Sequence, residues 1–293
     1  MNTVNKLINK RKERKIMDRE ERIMNRLQEH YDYIEDKCRS NGTPYEVVAL
    51  FLQGSQNYGL DVYTDNYMSD VDSKAIVLPT FNDFILSKEP VSKTIILENE
   101  EHIDVKDIRV MFTMFKKANI SYLELLFTDY KIINPKYQSI IDELMKIRDD
   151  IIDYPRLLKA CYGMTLEKRK ALCHPYPTIK DKIDKWGFDP KQLHHIIRLH
   201  LMLATLYETK HLIKDNFVFD EELREGLLDI KTNNAGISLN NAIASADGFC
   251  DMTKELVEKM LQWDWKEPQP EKLDKLLIRT LRQYFKEDIL NEQ

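Results

Sequence analysis

Across 293 residues the chain carries 44 lysines and arginines against 49 aspartates and glutamates, a net charge of −5, with 43% hydrophobic residues. That length and apolar content can bury a full core, in one large domain or two modest ones. No apolar run approaches the roughly 20 residues of a bilayer-crossing helix, and the start of the chain is charged where a secretory signal carries an apolar segment, so a cytoplasmic protein without membrane contact is expected.

The chain opens on a basic leader with Lys10, Arg11, Lys12, Arg14 and Lys15. It reads as a solvated helix start or as a contact for RNA, although net acidity gives no global pull towards nucleic acid. Ile16, Ile23, Leu27 and Ile34 follow at steps of seven, four and seven, which predicts a helix over about 16–39, stopped by Asn41-Gly42 and Pro44. The apolar run Val47 to Leu52 ends abruptly at Gly54-Ser55 and predicts a buried strand entering a tight turn. A polar loop covers 56–69, and a second strand is expected over 70–78. On it Val71, Ala75 and Val77 face one way while Asp70, Asp72 and Lys74 share the other. Thr94 to Leu97 and His102 to Val105 predict a hairpin, and a helix follows from about Asp107 to Lys117. Beyond Tyr130 the strand signal fades. Segments around 138–149, 155–172, 190–210, 221–229 and 255–262 read as helices, punctuated by Pro175, Pro177, Gly187 and Pro190.

A strand-rich first part followed by a helical second part predicts an α+β fold. Its small mixed sheet is expected at 46–130, preceded by an N-terminal helix within 1–130 and followed by a C-terminal helical domain at 131–293. The four cysteines, Cys38, Cys161, Cys173 and Cys250, are scattered without ligand spacing and are expected as reduced structural thiols.

The chemistry concentrates in Gly54-Ser55, then Asp70-Val71-Asp72, then Asp104. Residues two apart on a strand project from one face, so Asp70 and Asp72 bring like charges together, and such a pair needs a cation. Hard ions such as Mg²⁺, or Mn²⁺, take one or two carboxylates plus phosphate and water. With Asp104 on a neighbouring strand, three carboxylates could hold two ions about 3.5–4 Å apart, the arrangement used for phosphoryl chemistry. Gly54 would allow close backbone approach, and the Ser55 hydroxyl with the loop amides would contact phosphate. Asp107 competes with Asp104 for the third position. Asp104 is favoured because Ile103 and Val105 flank it as strand neighbours, while Asp107 suits a helix N-cap. Each piece alone is common on solvated surfaces; their order along the chain is what gives them meaning.

That order resembles the signature of the DNA polymerase β superfamily of nucleotidyltransferases. The runs Gly54-Ser55-Gln56-Asn57-Tyr58-Gly59-Leu60 and Ser69-Asp70-Val71-Asp72-Ser73-Lys74 look more closely like the YcgL-type predicted nucleotidyltransferases. The similarity extends through Asn119, Leu123 to Phe127, Lys191 to Leu199 and Leu223 to Lys231. The resemblance implies that Asp70, Asp72 and Asp104 are the catalytic, metal-binding carboxylates and that Gly54 and Ser55 form the phosphate-contacting turn. It implies transfer of a nucleoside monophosphate from a nucleoside triphosphate, with Mg²⁺ or Mn²⁺ as two bound ions. The acceptor would be a hydroxyl of a protein, an RNA end or a small molecule.

Tyr58 would either face a nucleobase or stabilise the loop. Lys191, His195 and Arg198 stand at i, i+4 and i+7 and so share a helix face. The face is either a solvated basic stripe or, because Ile196, Ile197, Leu199 and Leu203 mark the helix as buried, a grip on the β- and γ-phosphates. His194, His195 and His200 lack metal-ligand spacing. Trp186, Trp263 and Trp265 are spread singly along the helical half and suit packing better than base stacking. Two rivals to an enzyme are a nucleotide-binding regulator that does little chemistry and a nucleic-acid-binding module built on the helical half and the leader.

Overall fold

The computed structural model describes the backbone of residues 2–40, 45–64 and 67–291, and side chains from residue 19 onward except 39, 40, 63, 64, 67, 68, 288, 290 and 291. The side chains of the leader's lysines and arginines and of Ile16, and the helix stop at Asn41, Gly42 and Pro44, lie outside what is described.

Helix α1 spans Asn2–Ser40 and buries Ile23, Leu27 and Ile34, the face that the heptad-like steps predicted. It lies on a five-stranded sheet made of β1 (Glu46–Gln53), β4 (Asp72–Leu78), β5 (Ser92–Ile96), β6 (His102–Asp107) and β7 (Lys131–Ile133), in the order β5-β6-β4-β1-β7. All neighbours are antiparallel except β4 and β6, which run parallel, so the sheet is mixed. The 56–69 loop contains a two-residue pair, β2 (Tyr63–Thr64) with β3 (Tyr67–Met68). A short helix α2 (Phe81–Ile85) links β4 to β5.

Alternation along the strands sorts the core into two layers. Val47, Leu50, Leu52, Val71, Ala75, Val77, Ile103 and Val105 pack against α1. A bulge between Val47 and Ala49 keeps β1 in phase with this pattern. The opposite residues, among them Val48, Phe51, Ile76 and Leu78, join one continuous core with the helices. Those are α3 (Ile108–Lys116), α4 (Ile120–Leu123), α5 (Gln138–Ile151), α6 (Tyr154–Ala171), α7 (Lys180–Trp186), α8 (Pro190–Thr209), α9 (Glu221–Thr232), α10 (Leu239–Met260) and α11 (Glu271–Asn291). The architecture is α+β, with an N-terminal helix on one face of a mixed sheet and the C-terminal helices on the other.

Several helix starts follow from local chemistry. Asp107, Asp153, Asp189 and Ser238 each accept a hydrogen bond from a backbone amide of the first turn of α3, α6, α8 and α10. Asp107 is thus the N-cap the sequence suggested. Three expectations change. Strand β4 begins at Asp72, so Asp70 stands on its approach rather than within the alternation. The sheet takes in β7, a three-residue strand too short to leave a periodic signal. Helices α10 and α11 are long, where only 255–262 read as helical. All four cysteines are free thiols. Among the described residues, no helix is long and apolar enough to cross a membrane.

Candidate active site

The turn after β1 is the centre of the site. Gly54 has φ +78, a conformation that costs an L side chain, and a Cβ placed there would come 3.6 Å from the Asp72 carboxylate. The next residues fold back on themselves: the amides of Asn57, Tyr58, Gly59 and Leu60 donate to the carbonyls of Gly54, Ser55, Gln56 and Ser55. Four loop amides are therefore used within the turn. The Ser55 side chain remains at the turn's start.

Asp72 opens β4 beside His102, whose backbone amide donates to Asp72 Oδ1 at 3.0 Å and whose ring Nδ1 lies 3.1 Å away. Asp70 is exposed, and partial burial together with Asp72 and Glu101 raises its carboxyl above the usual range, against the opposing pull of His102. The two aspartates repel one another as their spacing implied. Asp104 pairs with Lys74 across the parallel β4–β6 ladder, so it projects from the same sheet face as Asp72, one pleat further along. Thr94 Oγ1 donates to Asp104 Oδ1 at 2.5 Å, and the Lys74 ammonium stands 3.6 Å from Oδ2. Among the described residues, no group of three or more His, Cys, Asp or Glu side chains is placed to hold a metal ion. The Asp70–Asp72 pair has the like-charge donor chemistry that suits a divalent cation, while Asp104 already faces a lysine.

Beneath the turn lies a buried polar cluster. The Tyr58 hydroxyl donates to Glu124, and the Arg198 guanidinium sits 4.0 Å from the centre of the Tyr58 ring. Burial pushes the Tyr58 hydroxyl and the Glu124 carboxyl upward, and for Glu124 the charges of Arg198 and Lys74 oppose that shift. Lys74 itself is buried, with its ammonium 3.9 Å from the centre of the Tyr122 ring. Tyr58 is thus tied by its hydroxyl to Glu124 beneath the loop. The basic stripe on α8 is divided. Lys191 is exposed, His195 is pulled well below its ordinary value by burial and by Arg198, and Arg198 is buried against Tyr58 with its Nε lacking a hydrogen-bond partner. At neutral pH the stripe carries two charges in different settings, not three.

Helix α9 supplies cations that the sequence reading passed over. Arg224 Nε donates to the Gly59 carbonyl, and Lys231 Nζ to the Leu60 carbonyl at 2.8 Å. The two stand seven apart, one helix face, and that spacing was the available signal. The Lys231 ammonium is drawn down to about 8 by burial, with Lys191 and Lys182 adding to the effect while Asp61 and Asp70 oppose it. Lysines from α7, α8 and α9 thus stand within electrostatic reach of one another and of Asp70. From the other side, Arg19 of α1 grips Asp61 through two bonds of 2.6 and 2.9 Å and the Gln56 carbonyl at 2.7 Å. Glu101 accepts from the Val71 amide at 3.1 Å and is bonded to Arg26 and His30, and His30 also bonds Ser73 at 2.9 Å. The segment between the two aspartates is therefore held from α1.

No family model and no curated protein matches the chain. Among solved structures, it is similar to a nucleotidyltransferase-like protein from Exiguobacterium sibiricum at 12% identity, over 84% of this chain and 77% of that one, with a TM-score of 0.29. A likeness that low carries no argument about this chain.

Proposed function

We propose that the chain is a metal-dependent nucleotidyltransferase of the polymerase β superfamily kind, nearest the YcgL-type proteins. It would move a nucleoside monophosphate from a nucleoside triphosphate to an acceptor hydroxyl and release pyrophosphate. The observation that carries this reading is the Gly54 turn folded against the Asp72 carboxylate, with Asp70 two residues before and Asp104 on the same sheet face. Phosphates entering at Ser55 would meet these carboxylates. A divalent cation bound there would neutralise phosphate charge and align the α-phosphorus with its attacker. Asp70 and Asp72 would hold the cation. Asp104, kept in place by Thr94 and Lys74, is the proposed third carboxylate and would accept the proton of the acceptor hydroxyl. Lys191 and Lys231 would bind the β- and γ-phosphates, since like charges gathered together favour an anion between them. Arg198 would act beneath the loop, by holding Glu124 and Tyr58.

Incubation with each α-labelled nucleoside triphosphate, Mg²⁺ or Mn²⁺ and cell extract tests the reading. Label entering the protein, RNA or small-molecule fraction is expected and identifies the acceptor class; label in none of them, with any of the four nucleotides, overturns it. One observation favours a regulator that binds nucleotide without transfer: Asp104 is already ion-paired to Lys74. That protein would gain thermal stability from nucleoside triphosphate while transferring no label.

A further inference from the structure

A second cleft, of about 890 Å³, lies at the other end of α8, within the roughly 300–1,000 Å³ range of small-molecule sites. Four aromatic rings line it in a row. Tyr154 and Trp265 stack with centres 4.5 Å apart and planes within 15°, Trp265 meets Trp263 at 5.2 Å, and Trp263 meets Tyr207 at 5.1 Å. The inner pair is explained by folding. Tyr154 is buried with its hydroxyl accepting from the Leu212 amide at 3.0 Å, and Trp265 Nε1 donates to the Met260 carbonyl at 2.7 Å, so these rings tie the segment after α10 to α6 and α8. The outer pair is only partly explained that way: Trp263 packs one side against the core and is half-buried, and Tyr207 beside it is 37% exposed.

The rim carries both signs of charge. Lys210 caps α8 in the left-handed conformation, φ 60, that helix ends ordinarily give to glycine or asparagine, and its side chain stands at the lip of the cleft. Glu208 and Asp264 stand at the same lip. A ligand matching this set needs a flat face for the rings, an anionic group for the lysine, and N–H donors for the carboxylates. A purely cationic ligand would leave Lys210 opposed, and an anion without N–H donors would leave the acids unmatched. A single nucleotide has all three features: bases stack on aromatic side chains, their exposed edges donate to carboxylates, and the phosphate pairs with lysine.

We propose that this cleft binds one nucleoside monophosphate unit, as a free nucleotide or as an exposed residue of single-stranded RNA, with the base on Trp263 and Tyr207. The site is separate from the Gly54 turn and does not depend on the transferase reading.

Calorimetric titration of the full chain with each nucleoside 5′-monophosphate and with a six-nucleotide single-stranded RNA tests it, in wild type and in Tyr207→Ala, Trp263→Ala and Trp263→Phe. Saturable binding is expected in wild type, weakened at least tenfold by Tyr207→Ala and by Trp263→Ala, and largely retained in Trp263→Phe. Because Tyr207 is exposed, its alanine variant should melt as wild type does, which separates lost contact from lost fold. Tighter binding of the RNA than of every monophosphate identifies the strand as the source; equal or weaker binding identifies the free nucleotide. Absence of binding by any of these ligands, or binding untouched by both alanine variants, overturns the proposal. A chain that transfers no label yet binds nucleotide through Trp263 fails the transferase reading and leaves this one standing.

Discussion

The two faces of the sheet hold their charges in opposite ways. On the α1 face, Glu101 takes bonds from Arg26, His30 and the Val71 amide, and Arg19 meets Asp61 with a two-pronged contact. Each acid has a cation, and the carboxyl of Glu101 is held down at about 2 by those bonds against the cost of its burial. On the helical face Lys74 faces Asp104 and Arg198 stands beside Glu124, but other charges lie near their own kind. Lys191 and Lys182 add to the burial cost of the Lys231 charge, Asp70 is raised by burial and by Asp72, and Arg198 has a buried Nε without a hydrogen-bond partner. A folded chain tolerates like charges in one place when something else is meant to separate them, so the first face reads as a brace and the second as a site.

The comparison breaks most directly at Asp72. Asp72→Asn keeps the volume and removes the charge, and transfer should fall on the order of a thousandfold, because an essential cation ligand is worth several kcal/mol. Label transfer and melting temperature measured together check this: activity above about a tenth of wild type, or a collapsed melt, would place Asp72 in the brace.

Arg198 is next. Removing its guanidinium from beside buried Glu124, which keeps Lys74 and the Tyr58 hydroxyl, should destabilise the fold by up to about 3–5 kcal/mol, the range for removing one partner of a buried ion pair. Denaturant unfolding of Arg198→Ala measures that loss, and adding Glu124→Gln should recover part of it. In a Trp263→Ala background, which silences the second cleft, calorimetry should show Arg198→Ala losing tri- and monophosphate affinity equally, since this arginine lies under the loop. Selective loss of triphosphate would move it into the phosphate grip.

The brace itself can be titrated. Glu101 has a folded value of about 2 against an ordinary 4.5, so its stabilisation is fully present above pH 4.5 and is lost as pH falls towards 2. The effect amounts to up to ~3 kcal/mol from the size of the shift. Acid unfolding followed by circular dichroism should be steeper over that window in wild type than in Glu101→Gln.

The smallest effect sharpens the helical face. Lys231→Ala should raise the dissociation constant for nucleoside triphosphate by roughly 10- to 100-fold, the worth of one charge-assisted contact, and leave the monophosphate nearly unchanged. If both nucleotides weaken alike, Lys231 serves the Leu60 carbonyl and nothing more.

Legibility followed distance along the chain. Short-range patterns were readable: the buried strand before Gly54, the N-cap role of Asp107, the face of α1, and the neighbourhood of Asp70 and Asp72 each rest on residues within one element or one turn. The long helices α10 and α11 were less readable because their polar residues dilute the apolar stripe, and β7 is too short to repeat anything. Within the site, Ser55 and the carboxylates could be named from order alone. The Glu101–His30 brace, the Glu124–Arg198 pair and the Lys231 contact with Leu60 could not, since each joins residues 71, 74 and 171 positions apart.

What the sequence by itself determined, then, is the period of each element and the chemical kind of each candidate group, because both are properties of neighbouring residues. Which groups meet was decided only by the tertiary structure. The sheet register set Asp104 against Lys74, and the packing of α8 and α9 over the turn turned one basic stripe into a buried arginine, a neutral histidine and an exposed lysine joined by Lys231. The physical reason is that burial and charge pairing depend on what the rest of the chain brings into contact, and periodicity along one helix carries no record of its partners.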